Sequence, residues 1–537
     1  MKYLILLCLL LIAPRLEATG FLHARGQDIV DESGQKIRLR GVGLGNWMLP
    51  EGYMWRFGSE GDRPRRIEKI VSDLIGLEEA AKFWTEYRRQ YITEADLQRI
   101  ADLGFNSVRP SLNARLFLTE GPHPSPVEEG FSLLDNLIRW GKNHGVYVII
   151  DMHAAPGGQT GQNIDDSAND RPELFTDSGN QDRLVALWTK MASRYKDEPT
   201  VAAYDLLNEP LPERTGAAKR YKSQLEPLYK RITKAIRAVD ARHIITVEGA
   251  NWANDWSVFS HPFDANLVYQ FHYYAWDRPD KLKGIGEYLE YRDKFNAPVW
   301  VGETGEKDDA IYWATTQYFE ASNIGWSFWP WKKISARNAP YSIKAPEHWR
   351  ELAAYSSGSD KPSPEIARAA LAQLLQNIRL ENCEFHPDVV NALFHRVPGR
   401  VEAENYGDDG ANKSYFVHTA VNSTHYRTAE PVPIALVENG GDRYSSAQAI
   451  QLQEGEWTAY DINSLEPKNL SATLQAKVES LPASVEISCD NQQQEVTVSN
   501  TKWSQVDLKP VQFAKGMNHL KLRVKQGVIQ FDWVEFK

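Results

Sequence analysis

Cysteine is nearly absent. The chain of 537 residues has three, Cys8, Cys383 and Cys489. None falls in the paired Cys and His spacing of a zinc site, which excludes thiolate-bound zinc. Cys383 and Cys489 allow one disulfide or two buried thiols, and both remain open. No block of basic residues interrupts a net charge of −10, so nucleic acid is not an expected partner. No Gly-rich phosphate loop follows the first apolar run, which disfavours a dinucleotide-binding open sheet. A G-x-S-x-G elbow and a paired metal-binding histidine motif are also missing, and with them the signatures of lipases and metalloproteases. Long apolar runs are lacking too, so no membrane anchor is expected.

What is present begins with length, which predicts two or more domains. Aromatics are abundant, at 17 Trp and 23 Tyr. Their flat rings suit sugar faces, although a large core also consumes them. At the N-terminus Lys2 precedes an apolar stretch, Tyr3 to Ala13, with small residues near Ala18 and Thr19. That pattern predicts a signal peptide over 1–19 and a secreted protein, extracellular or periplasmic. Cys8 lies inside the apolar stretch rather than after it, so a lipid anchor is not expected.

From about residue 37 to 332, short apolar runs alternate with amphipathic stretches, the mark of βα units. Eight candidate strands begin at Ile37, Asn106, Val146, Val201, His243, Asn266, Ala297 and Gly325. Thr93 predicts a helix start, with Leu97, Ile100 and Leu103 on one face and Gly104 after it. Leu133, Leu134, Leu137 and Ile138 form a second stripe, closed by Gly145. Eight such units predict a (β/α)8 TIM barrel, an α/β fold, within a catalytic domain over 20–380. A last helix is expected from Pro364 to about Ile378, followed by a connector over 381–397. From there short alternating segments predict an all-β jelly-roll sandwich over 398–537.

Chemistry in such a barrel sits at the C-terminal ends of the strands. Those ends carry Arg109, His153, Asn208 with Glu209, Glu248, His272 with Tyr274, Glu303 and Trp329. Glu209 and Glu303 form the candidate catalytic pair, since glycoside cleavage needs one carboxyl as acid and another as nucleophile or base. Asn208 is placed to hold a sugar hydroxyl, and Tyr274 to donate to Glu303. His153 and His272 can fix the geometry, and Arg109 can favour an ionised nucleophile. Glu248 is better read as a structural ion-pair member. Glu51 to Gln90, with Tyr53, Trp55 and Trp84, is either a cleft wall or an outer helical cap.

RGVGLGNW (Arg40 to Trp47), ITEADLQRIADLGFNSVR (Ile92 to Arg109), VIIDMHAAPGGQTG (Val148 to Gly161), LLNEP (Leu206 to Pro210), FHYY (Phe271 to Tyr274), VGETG (Val301 to Gly305) and GWSFWPWK (Gly325 to Lys332) follow in that order. Together they resemble glycoside hydrolase family 5. The resemblance implies a retaining β-glycosidase with Glu303 as nucleophile, Glu209 as acid/base, and no catalytic cofactor. It also implies carboxyls about 5 Å apart. Arg109, His153, Asn208, His272, Tyr274 and Trp329 would contact substrate, Trp329 as the floor beneath the cleaved sugar. Pro110 directly after Arg109 departs from the usual apolar residue there. The stretch from ITEADLQ to GGQTG is most similar to the exo-β-1,3-glucanase branch, whereas NEP and HYY are shared with cellulases, mannanases and xylan-active members.

VEAENYG (Val401 to Gly407) and FDWVEF (Phe531 to Phe536), with EGEWTAYDI and TKWSQVDL between, resemble a family 6 carbohydrate-binding module. The resemblance implies a structural Ca2+ on Glu402, Glu404 and Asp532, hard oxygen donors from both ends of the domain. The alternative is surface carboxylates on edge strands. Trp457, Tyr460 and Trp503 are candidates for sugar stacking or for core. The expected partner is a polysaccharide or oligosaccharide, and the expected state a monomer. A non-catalytic glycan-binding protein, a transglycosylase and a mannan-active enzyme are the competing functions.

Overall fold

A computed structural model describes residues 20–121, 123–275, 282, 284–418, 427, 429–437 and 448–537. The expected signal peptide, with Cys8, lies outside the described residues. Eight strands close a barrel: β1 (Arg40–Leu44), β2 (Ser107–Asn113), β3 (Tyr147–Ala154), β4 (Val201–Asp205), β5 (Ile244–Glu248), β6 (Leu267–Tyr273), β7 (Val299–Gly305) and β8 (Gly325–Trp329). Each overlaps one of the eight expected runs, with Ser107–Asn113 and Tyr147–Ala154 extending one residue past theirs. Neighbours from β1 to β6 pair in parallel and in sequence order. Gly41 is required where β1 meets β2, because a Cβ there would lie 2.5 Å from the Ser107 hydroxyl.

The helices follow local chemistry. Thr93 and Asp96 form a reciprocal capping box at the start of Glu94–Asp102. Gly145, at φ 68°, ends Glu128–His144 in the left-handed conformation that a residue with a Cβ adopts only at a cost. Ser363 caps Pro364–Asn377. The opposite, N-terminal end of the barrel is filled by Leu39, Tyr147, Ile149, Ala203, Val268 and Trp300, with Leu22 packed into the same cluster. Leu22 leads into the hairpin of His23–Arg25 and Asp28–Val30. That end is core, so only the C-terminal end is open to chemistry.

Helices Gly52–Trp55, Pro64–Ile75 and Leu77–Tyr91 make the inserted segment an outer cap. Trp55 and Trp84 are buried, and Trp55 packs against Trp84 and Trp349 at ring separations of 5.5 and 5.6 Å. Tyr53 alone of the three aromatics stays exposed.

The C-terminal region is a sandwich of two antiparallel sheets. One runs Ile434–Leu436, Gln448–Gln453, Val528–Phe536, Lys468–Val478, Ser504–Phe513, with Gly399–Glu402 also pairing Val528–Phe536. The other runs Tyr415–Phe416, Trp457–Ser464, Gly516–Gln526, Ser484–Cys489, Gln492–Thr497. Alternation in Trp457–Ser464 sends Thr458, Tyr460, Ile462 and Ser464 inward. By packing, the chain divides into two compact units. One runs to Phe271 and adds Tyr291–Trp300 and Ala345–Asn382; the other gathers His272–Glu290, Val301–Lys344 and Cys383–Lys537. Within the second unit, Trp313 and Ala314 belong to the same apolar core as the sandwich residues Val401, Tyr406, Leu474 and Leu522.

Candidate active site

Strands β2 to β5 carry a lattice of charge with almost no access to water. Arg109 is fully buried; its Nε donates to Asp205 at 2.8 Å, and its Nη2 donates to Asn208 Oδ1 at 2.8 Å and Glu248 Oε1 at 3.1 Å. Asp151 lies 3.2 Å from the same guanidinium and pairs with His153 Nδ1 at 2.6 Å through its other oxygen. His153 Nε2 in turn lies 3.3 Å from the Asn208 amide nitrogen. Burial pushes the Asp205 carboxyl up to about 6; Arg109 opposes that rise and Asp151 adds to it. Removing any one charge would leave the others unbalanced in a dry interior.

Glu209 is set by backbone. It sits just after β4 at φ 43°, a left-handed conformation strained for a residue with a side chain, and Leu211 follows at φ 56°. The Glu209 N–H donates to Glu248 Oε2 at 2.6 Å. Gln159 supports the turn, donating from Nε2 to the carbonyls of His153 and Asn208, while its own carbonyl accepts from Leu211 N. Glu248 is therefore an ion-pair member, as expected from sequence, and also the acceptor that fixes the Glu209 backbone.

The remaining expected residues belong to β6, β7 and β8. Glu303 is 4% exposed in β7, and the Tyr274 hydroxyl donates to its Oε2 at 2.8 Å. His272 Nδ1 stands 3.5 Å from the same oxygen. Donation by a phenol favours the ionised carboxylate. Trp329 is buried at the end of β8. Gly305 lets the chain after Glu303 pass close to β8: a Cβ there would meet the Trp329 carbonyl at 2.7 Å. Chemically, one strand end offers a carboxyl locked by its own backbone, and another a carboxylate held through its side chain.

Four supporting residues escaped the sequence reading: Asp151, Asp205, Gln159 and Trp252. The two aspartates sit inside apolar strands, and a carboxylate there was itself the signal. Trp252 lies in a run of three left-handed residues, Asn251, Trp252 and Ala253, at φ 53°, 61° and 71°. Its loop donates from Asn251 N to Leu211 O at 3.1 Å, and the Arg214 guanidinium lies 5.5 Å over its ring.

In the sandwich, Glu402, Glu404 and Asp532 are all buried, at 3%, 1% and 5% exposed. Glu402 ends the strand that pairs with Val528–Phe536, and Ala403 N donates to Asp532 O at 2.8 Å. They are interior groups rather than edge-strand surface carboxylates. Tyr460 is core, its hydroxyl donating to Ala403 O at 2.8 Å. Trp457 and Trp503 are half-buried, and Lys521 and Lys477 stand over their rings at 3.5 and 4.9 Å. Cys383 and Cys489 are free thiols, and burial pushes the Cys489 thiol up to about 12. No helix among the described residues is long and apolar enough to cross a membrane.

Residues 71–335 match the cellulase family, glycosyl hydrolase family 5. A β-xylosidase of Phanerodontia chrysosporium is 28% identical over 430 residues, 70% of this chain and 87% of that protein. A probable glucan 1,3-β-glucosidase A of Emericella nidulans is 28% identical over 357 residues, 56% of this chain and 86% of its own. The crystal structure of an endogalactoceramidase aligns over 96% of this chain and 99% of that one, at 15% identity and a TM-score of 0.47.

Proposed function

We propose that this chain, a glycosidase whose residues 71–335 match glycosyl hydrolase family 5, is a secreted, retaining β-glycoside hydrolase that cuts β-linked glucans. Glu303 is the nucleophile and Glu209 the acid/base. The observation that carries the reading is the Tyr274–Glu303 hydrogen bond of 2.8 Å, which orients one buried strand-end carboxylate. In the first step a Glu303 oxygen bonds to the anomeric carbon as the glycosidic C–O bond breaks, and Glu209 gives its proton to the leaving oxygen. In the second, Glu209 takes a proton from water, whose oxygen bonds to the anomeric carbon and releases the Glu303 carboxylate. Asn208, braced by Arg109, is placed for the sugar hydroxyl next to the reacting carbon, and Trp329 for its apolar face.

Glucans are favoured as substrate by the relatives named as glucan 1,3-β-glucosidase and endoglucanase. The β-xylosidase likeness favours a xylose-releasing enzyme as the second reading. Product analysis on laminarin, β-1,6-glucan, carboxymethylcellulose, mannan and xylan, with Glu303→Gln alongside, tests both. Glucose or short glucans from the wild type alone support the first, and xylose the second. Failure to cut any polymer or aryl glycoside removes the catalytic reading. We propose in addition a structural Ca2+ held by Glu402, Glu404 and Asp532, supported by the burial of three carboxylates around one strand pair. Chelation lowering the melting temperature, with Ca2+ restoring it, is the expected result; an unchanged melting temperature removes the ion.

A further inference from the structure

The C-terminal sandwich does not hang from the barrel on a linker. Within the second unit it shares a core with helix Asp309–Ala321, which directly follows the Glu303 strand. That helix is buried nearly all round, with Ala310 through Thr316 inaccessible to solvent. A barrel helix ordinarily keeps a wet outer face, so here the sandwich has replaced the water. Gln317 is the polar hub of the junction. Its Oε1 accepts from the Trp313 indole at 3.1 Å, and its Nε2 donates to Tyr406 O at 2.8 Å and Asp408 Oδ2 at 2.9 Å. At the preceding residue, Thr316 Oγ1 and His395 Nε2 meet at 3.0 Å.

The same helix holds the five residues after Glu303. Asp308 caps it by accepting from Ile311 N at 3.1 Å. Tyr312 accepts from Lys307 N at 2.8 Å through its hydroxyl, which donates in turn to Asn338 O at 3.1 Å. Glu306, at φ 57°, is tied to Lys333 Nζ at 2.7 Å. An unbroken chain of packed and hydrogen-bonded groups therefore runs from Tyr406 and Asp408 through Gln317 and the helix to the residue that Tyr274 holds.

We propose that the sandwich is a positioning body for the nucleophile, acting through Gln317 on helix Asp309–Ala321 and the Thr304–Asp308 loop. Gln317 is a positioning residue; it reaches the sugar only by way of Glu303, and the inference rests on Glu303 being the nucleophile. A small displacement of an attacking atom is costly, about a hundredfold per ångström. Loosening one anchor of the helix then costs rate and not affinity.

The test compares wild type, Gln317→Ala and Asp408→Asn in the full chain. Asp408→Asn keeps an oxygen that accepts from Gln317. Each is assayed for kcat and KM, for the rate at which an activated 2-deoxy-2-fluoro-glucoside labels Glu303, and for amide hydrogen exchange over 301–312. For Gln317→Ala the expected result is a kcat and labelling rate about tenfold lower, KM within twofold, and faster exchange in 304–312. Asp408→Asn should retain most of the wild-type rate. A lower melting temperature with unchanged labelling and exchange overturns the proposal, leaving a purely structural junction. Wild type that neither turns over nor labels overturns the nucleophile assignment instead, while exchange still reads the coupling between sandwich and loop.

Discussion

Glu209 and Glu303 end two strands of one barrel, yet they are held in place by different physics. The Glu209 position is fixed from beneath, by a left-handed backbone whose N–H is tied to Glu248 and by a buried lattice centred on Arg109. Glu303 is fixed from the side by Tyr274, and the chain after it is anchored in the sandwich core through helix Asp309–Ala321. The first arrangement is local and electrostatic; it needs charge balance among strands β2 to β5. The second is long-range and built on packing. In the proposed reaction, the residue that changes protonation twice per turnover is thus positioned through its backbone N–H, whereas the proposed nucleophile is held through its carboxylate.

The sharpest way to break the comparison is to delete each carboxyl and offer azide, a nucleophile that needs no general base. Glu303→Ala should lose turnover by roughly 10^4-fold or more, and azide should give an α-glycosyl azide, since it then fills the missing nucleophile's place. Glu209→Ala should keep reacting with an activated aryl glycoside, and azide should give the β-azide by displacing Glu303 from the glycosyl-enzyme. The anomeric configuration of the two products, read by NMR, decides it. The same anomer from both variants would overturn the division of roles.

Next in size is the lattice. Arg109→Met leaves Asp205, Asp151 and Glu248 buried without their common cation, and should cost about 3–5 kcal/mol in a denaturant titration. Trp313→Leu, a packing change on the other side of the comparison, should cost less, about 1–3 kcal/mol. Tyr274→Phe removes the hydroxyl that donates to the Glu303 carboxylate. It should lower kcat roughly 10- to 100-fold, and the acid limb of kcat/KM should move to higher pH, because the ionised form loses a donor. An acid limb that stays in place would mean that the hydroxyl serves substrate rather than nucleophile.

These effects also mark what the residues disclosed before the fold was seen. The eight barrel strands were legible because each is a short apolar run ending in polar residues, as in VYVIIDMH and APVWVGETG, and both glutamates stood at such ends. Ser504–Phe513 was harder to read. It is half-exposed with Pro510 inside, a composition tolerated because the strand lies at the edge of its sheet. Tyr415–Phe416 and Ile434–Leu436 are too short for any period to show. The junction was illegible for another reason: nothing in the run Asp309–Ala321 marks a partner for Trp313 and Ala314, whose core neighbours lie more than 80 residues away in the sandwich. Asp151, between Ile150 and Met152, and Asp205, between Tyr204 and Leu206, carry a signal of another kind, because a carboxylate among apolar neighbours asks for a cation.

The smallest effect separates two buried aspartates, Asp205 at the end of β4 and Asp240 ahead of β5. Burial holds Asp205 up at about 6, so the folded chain binds its proton more readily than the unfolded chain does. Its stabilising contribution is complete below the ordinary carboxylate value of 3.8 and is lost as pH rises through about 6. Asp240 behaves oppositely. Burial works to raise it as well, but the hydrogen bond and charge of His243 outweigh that and hold it at about 2. Its contribution is present above 3.8 and fades as pH falls toward 2. Between pH 6 and 4 the two therefore separate: acidification gains stability through Asp205 while Asp240 gives up almost nothing. Asp205→Asn should flatten the melting temperature across that window by a few degrees at most, and Asp240→Asn should leave its slope there intact while removing part of the loss below pH 4. A wild-type melting temperature that falls steadily from pH 6 to 4, with the same slope in Asp205→Asn, would show that Arg109 neutralises Asp205 fully and that the lattice carries no stored proton affinity.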